Sequence, residues 1–95
     1  MSRFTVTATT DAEAELADLL LNSPPALRQD IVDASNRIDR DLERADLLLP
    51  YRQMPAPPLQ RRHTVSPLVA FYQIDEQTQE VTITHYRLRL RIFRP

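Results

Sequence analysis

The residues able to do chemistry gather in the second half of the chain. Arg87, Arg89 and Arg91 alternate with leucine or isoleucine, so on a strand they project from one face about 6.6 Å apart, a spacing that follows anionic oxygens or an acidic peptide. Arg61 and Arg62 stand before His63, and the pair His85-Tyr86 stands before the arginine series. Imidazole is the side chain that changes charge near neutral pH unperturbed, and a phenol can donate from its hydroxyl. A 2′-OH-activating nuclease can therefore be assembled on paper. Arg61, Arg62, Arg87 and Arg89 would clamp phosphate, His63 or His85 would titrate, and Tyr86 would supply a hydroxyl. Plainer readings compete at each position. His85 can be a partly buried, hydrogen-bonded residue at a change of strand phase, His63 an exposed strand residue, and the arginines a solvated face whose charges block edge-to-edge aggregation.

What the composition lacks narrows the chemistry further. The chain has 95 residues with no Cys, no Gly and no Lys. Without Cys there is no disulfide framework, zinc ribbon or thiolate nucleophile. Without Gly there is no dinucleotide fingerprint, Walker loop or G-x-S-x-G elbow, each of which needs backbone only Gly allows near a ligand. All 12 cations are Arg, which removes a Schiff-base or phosphate-binding lysine. The two His cannot form a three-His metal centre. These absences predict a small cytoplasmic domain without cofactor or metal, and no apolar run approaches a signal core or a membrane span. The net charge of −1 conceals an uneven distribution. Residues 1–50 carry five Arg and ten acids, and residues 51–95 carry seven Arg and three acids, so the C-terminal half is the candidate anion-binding half.

Elements that must position these groups are legible in the periodicity. Phe4, Val6 and Ala8 alternate with Thr5 and Thr7, a short half-buried strand that stops at Thr9-Thr10-Asp11. Thr10 and Glu13 have capping-box spacing and open a helix over about 11–22, with Ala12, Leu16, Leu19 and Leu20 as its apolar stripe. Ser23-Pro24-Pro25 ends it and starts a second helix over about 25–46, with Ser23 as N-cap. Leu27, Ile31, Ala34, Ile38, Leu42 and Ala45 form its buried face. Its charged face contains the like pairs Arg40 with Arg44 and Asp39 with Glu43, so pairing adds little. Leu47, Leu48 and Leu49 either fill the helix–sheet junction or meet a partner. Pro50, Pro55, Pro57 and Pro58 make an extended connector.

The β pattern returns as a strand at 61–65, a turn at Ser66-Pro67, and a run at 68–74 that is apolar on both faces, as in a central strand. A polar hairpin loop at 75–79 leads into a last strand over 80–92. Its apolar residues shift from odd (Val81, Ile83) to even (Tyr86, Leu88, Leu90, Ile92), which predicts a bulge or strand exchange near His85. The expectation is one α+β domain over 1–95. An N-terminal strand and a two-helix antiparallel hairpin pack on a largely antiparallel sheet completed by three C-terminal strands.

That order, the Ala12-Glu13-Ala14-Glu15-Leu16 opening of the first helix, Ile38-Asp39-Arg40, and Ser66 to Asp75 followed by Val81-Thr82-Ile83 resemble the RelE/ParE superfamily of type II toxin–antitoxin toxins over roughly residues 3–89. The resemblance implies growth arrest, a cytoplasmic location, plasmid stabilisation as a role, a cognate antitoxin that wraps a helix or strand around the toxin, and either a homo-oligomer or a toxin–antitoxin hetero-oligomer. It also implies one of two targets: ribosome-bound mRNA, cut by RelE-like members, or DNA gyrase, poisoned by ParE-like members. Fold alone does not choose between them. RelE-like enzymes carry Lys and Arg on the middle strands and a Tyr or His near the C-terminus. Here Val69 stands where an Arg is expected ahead of Tyr72-Gln73, there is no Lys, and no Tyr follows the last arginines. Only Arg89 resembles a RelE catalytic Arg. The resemblance thus points to a ParE-like gyrase inhibitor, not itself catalytic, with Arg61, Arg62, Arg87, Arg89 and Arg91 binding target or antitoxin. The alternatives are a nuclease using Arg89, His85 and Tyr86, or an inactivated toxin kept as a protein-binding module.

Overall fold

A computed structural model describes residues 3–44 and 61–89. Its elements are β1 (Thr5–Ala8), α1 (Thr10–Leu21), α2 (Pro25–Leu42), β2 (Arg61–Val65), β3 (Leu68–Asp75) and β4 (Glu80–Leu88). The four strands form one sheet in the order β1-β4-β3-β2. β1 lies parallel to β4, while β2–β3 and β3–β4 are antiparallel hairpins. The α+β expectation holds, and the first strand of the chain joins the sheet through the last. Leu47 to Leu49, the proline connector, Arg91 and the last strand beyond Arg89 fall outside the described residues.

One face of the sheet is covered by the helices, and the core lies between. Along α2 the buried residues are Ile31, Ala34, Ile38 and Leu42, the predicted stripe, which returns to one face every three or four residues. They meet Leu68, Ala70 and Tyr72 of β3 and Val81, Ile83 and Tyr86 of β4 in one cluster. The α1 stripe is shallower: Ala12 is buried, while Leu16, Leu19 and Leu20 are partly so.

Both predicted helix caps are displaced. Thr9, in extended conformation, is the N-cap of α1, and its Oγ1 accepts from the Ala12 amide at 3.0 Å. The helix therefore starts at Thr10, and with Ala12 at the third position no side chain can return the bond, so the Thr10–Glu13 capping box does not form. Ser23 serves the preceding helix. Its hydroxyl donates to the Leu19 carbonyl at 2.6 Å, and Pro24 occupies the cap of α2 with no side-chain bond. Arg28 ties the turn together, donating to the Leu20 carbonyl at 3.0 Å and the Ser23 carbonyl at 3.1 Å. The charged face of α2 also contains a favourable pair, Arg37 with Asp41 at 3.3 Å, besides the like charges noted in the sequence.

β3 lies between β2 and β4, and Leu68, Val69 and Ala70 are all buried, as its two-faced apolar pattern predicts. The register of β4 slips where its alternation changes. Phe71 pairs with His85 and Tyr72 with Ile83, leaving Thr84 unmatched. This bulge lets Val81, Ile83 and Tyr86 all reach the helix-side core, because one extra residue reverses the side-chain phase. In the β3–β4 loop, Asp75 Oδ1 accepts from the amides of Gln77 and Thr78. The left-handed position falls to Gln79 (φ 56°), in a chain that has no Gly to place there.

Candidate functional site

Residues paired across neighbouring strands point to the same side of a sheet, so the register sorts the predicted site residues by face. Arg62 pairs with Phe71 and Phe71 with His85; Thr64 pairs with Val69 and Val69 with Arg87. These two rows lie on the outer face, opposite the α2 core, where Glu15 of α1 reaches His85 and Arg87 past the β4 edge. Arg89, exposed and just past β4, continues that side, and its amide donates to the Pro67 carbonyl at 2.7 Å. Arg61 pairs with Tyr72, so it belongs to the helix side. The predicted arginine group therefore divides: Arg62, Arg87 and Arg89 share the outer face, Arg61 does not, and Arg91 is outside the described residues.

Both histidines are engaged by carboxylates from helices. His63 Nε2 lies 2.8 Å from Asp41 Oδ2 of α2, and its side chain is 22% exposed. It is thus a tether between the edge strand and α2, not the exposed strand residue expected. Burial raises the Asp41 carboxyl, but hydrogen bonds from His63 and Arg37 and the charges of both outweigh it and leave the carboxyl below its usual range. His85 Nδ1 lies 3.4 Å from Glu15 Oε2 of α1 with the ring 43% exposed, matching the half-buried, hydrogen-bonded reading.

Glu15 is the centre of this second cluster. Its Oε1 accepts from the Tyr86 amide at 3.0 Å, and its Oε2 pairs with Arg87 Nη1 at 3.0 Å. The Tyr86 amide is the largest influence holding the Glu15 carboxyl below its ordinary value; burial opposes it, and Arg87 and His85 reinforce it. In the sequence Glu15 stands out only as part of the Ala12-Glu13-Ala14-Glu15-Leu16 opening of the first helix. Its role depends on α1 packing against β4, and no local spacing encodes that.

Tyr86 is not part of the outer-face group. Its ring is 4% exposed among the core residues, and its hydroxyl is hydrogen-bonded with Ser35 of α2. Burial, helped by the charge of Asp39, pushes the phenol up to about 12. The proposed nuclease set of Arg89, His85 and Tyr86 is therefore split across the sheet, because the bulge that preserves the core turns Tyr86 inward. Tyr86 helps line a cleft of about 450 Å³ between the helices, with Val6, Leu16, Ile83, Glu13 and Asp39. The Asp39 carboxyl is raised by burial and by the neighbouring Glu43.

Among the described residues, no group of three or more His, Asp or Glu could hold a metal ion, and no helix is long and apolar enough to cross a membrane.

No protein-family model and no curated protein matches the chain. Solved structures do. A chain of the toxin–antitoxin complex RelBE2 from Mycobacterium tuberculosis is 26% identical, with a TM-score of 0.59 over 94% of both chains. A chain of the archaeal RelE–RelB complex from Pyrococcus horikoshii OT3 shares the fold at 13% identity, with a TM-score of 0.53 over 95% of this chain and 99% of that one. The strand–helix–helix–three-strand order, the sheet topology and this likeness over nearly the full length lead to one assignment: the chain is a member of the RelE/ParE toxin superfamily.

Proposed function

We propose that the protein is the toxin of a type II toxin–antitoxin pair, silenced by a cognate antitoxin, and that it acts in ParE-like fashion by binding a macromolecular target such as DNA gyrase. The similar structures are of toxin–antitoxin complexes, which supports the antitoxin as partner. One observation carries the choice of mode. The outer face presents Arg62, Arg87 and Arg89, while the only phenol next to them in sequence, Tyr86, is turned to the opposite side and kept neutral. With no phenol beside them among the described residues and His85 as the one titrating side chain in their rows, these guanidinium forks suit recognition of carboxylates or phosphates better than a two-partner cleavage.

A RelE-like ribosome-dependent endoribonuclease is the second reading, favoured by the carboxylate-held imidazole of His85 beside Arg87. With Nδ1 engaged, Nε2 is the nitrogen left to move a proton, the arrangement a general acid or base needs. Inducible expression in bacteria separates the two. Growth arrest with gyrase-linked DNA breaks and intact messages supports the ParE-like mode, and codon-phased message cuts replace it with the nuclease. Soluble expression without arrest would refute both and leave a protein-binding module.

A further inference from the structure

At the edge of β4 a helix carboxylate takes the place of a missing strand. β1 covers that edge only as far as Ala8, opposite Ile83, and the Thr9 amide closes the ladder on the Ile83 carbonyl at 2.9 Å. Past the bulge at Thr84 the next outward amide is that of Tyr86, and no strand among the described residues receives it. Glu15 receives it through Oε1 at 3.0 Å. Its other oxygen is thereby aimed at the two side chains flanking Tyr86: Arg87 Nη1 at 3.0 Å and His85 Nδ1 at 3.4 Å. Arg87 Nη1 also donates to the Tyr86 carbonyl at 2.8 Å, so the guanidinium is held at two points. An arginine side chain normally loses much rotamer freedom on binding, and one already held loses less.

We propose that Glu15 is a positioning residue of the outer-face site: it holds His85 as the Nδ1–H tautomer and Arg87 beside it, presenting imidazole Nε2 and the remaining guanidinium donors to an anionic target as one unit. This rests on the reading that the Arg87 side of the sheet meets the target. The competing physical effect has the opposite sign, since a carboxylate near the site also repels an anionic partner. A Glu15 that is only a counter-ion would therefore weaken the toxin, and its removal would strengthen it.

The test uses the full chain with Glu15→Gln, whose amide oxygen still accepts from the Tyr86 amide, and with Arg87→Ala as a report on the reading itself. Potency is the inducer level giving half-maximal growth arrest, and the tautomer is read from side-chain ¹⁵N spectra of His85. Positioning predicts Nδ1–H in the wild type, loss of that preference in E15Q, and a potency drop of about tenfold or more in both variants. Arg87→Ala inactive with E15Q as potent as the wild type, or more so, overturns the inference and leaves the reading standing. An Nε2–H tautomer in the wild type also overturns it, without relying on any variant folding. Full potency of Arg87→Ala overturns the reading and the inference with it.

Discussion

Replacing Tyr86 by Phe tests whether the tyrosine hydroxyl is structural or functional. The ring is 4% exposed, and Phe keeps its volume, so the change removes one oxygen and its hydrogen bond with Ser35. Loss of one such bond, with Ser35 left half-buried, costs about 1 kcal/mol. That is a small part of the 5–15 kcal/mol typical of a domain, so Y86F should fold and, on the proposed toxin reading, arrest growth as effectively as the wild type. A second signature comes from linkage. The folded phenol is raised from 10.0 to about 12, so its contribution is complete below about pH 10, where the unfolded phenol is still protonated, and disappears as pH rises through the folded value. Two pKa units correspond to roughly 2 to 3 kcal/mol. Urea unfolding of both proteins from pH 8 to 12 should show Y86F less stable at pH 8 and the wild type losing its advantage, then falling behind, as the phenol ionises. Y86F that unfolds normally but no longer arrests growth would refute the reasoning, because it would put the hydroxyl in the functional site despite its position.

Other consequences separate core from surface and tether from core. Ile38 is fully buried whereas Leu21 is 77% exposed. Ile38→Ala should cost about 2–5 kcal/mol and lower the melting temperature by about 10 °C or more, while Leu21→Ala should stay within about 0.5 kcal/mol; calorimetry reads both. The folded Asp41 carboxyl lies below its ordinary value, so the folded state binds fewer protons there than the unfolded chain. Its contribution is present above about pH 4 and is lost as pH falls through the folded value. Asp41→Asn should therefore be less stable than the wild type at pH 6, by about 1 kcal/mol, and the gap in urea midpoint should close toward pH 2. A gap that persists at pH 2 would mean the His63 tether does not act through the carboxylate charge.

Much of the fold was legible because it is written in short periods. The α2 stripe Ile31, Ala34, Ile38, Leu42 follows from helical geometry alone, β2 begins and ends where its composition predicts, and the phase change in β4 announced a bulge before any pairing was known. Cap positions were missed by one residue, because neighbouring threonines offer the same chemistry and only the backbone angle of Thr9 selects between them. The site was less legible. Alternation on the 61–65 strand puts the adjacent Arg61 and Arg62 on opposite faces, but only their pairing with Tyr72 and Phe71 decides which of them is on the helix side. The nuclease alternative took Tyr86 as a hydroxyl donor, although the alternation sets it in the apolar phase with Leu88; the pairing across the bulge puts its ring in the core.

Local sequence determined the elements, the core stripes, the segregation of charge into an acidic first half and an arginine-rich second half, and the exclusion of chemistries that need Cys, Gly or Lys. These depend on residue types a few positions apart, where backbone geometry makes neighbours predictable. Tertiary structure alone decided which groups meet. Glu15 reaches His85 and Arg87 across some seventy residues of chain, and Asp41 reaches His63 across the helix–sheet boundary. Such contacts are set by how α1 seals the edge that β1 leaves open and how α2 crosses β2, and a carboxylate's hydrogen-bond partner is chosen by distance in space, which separation along the chain does not encode.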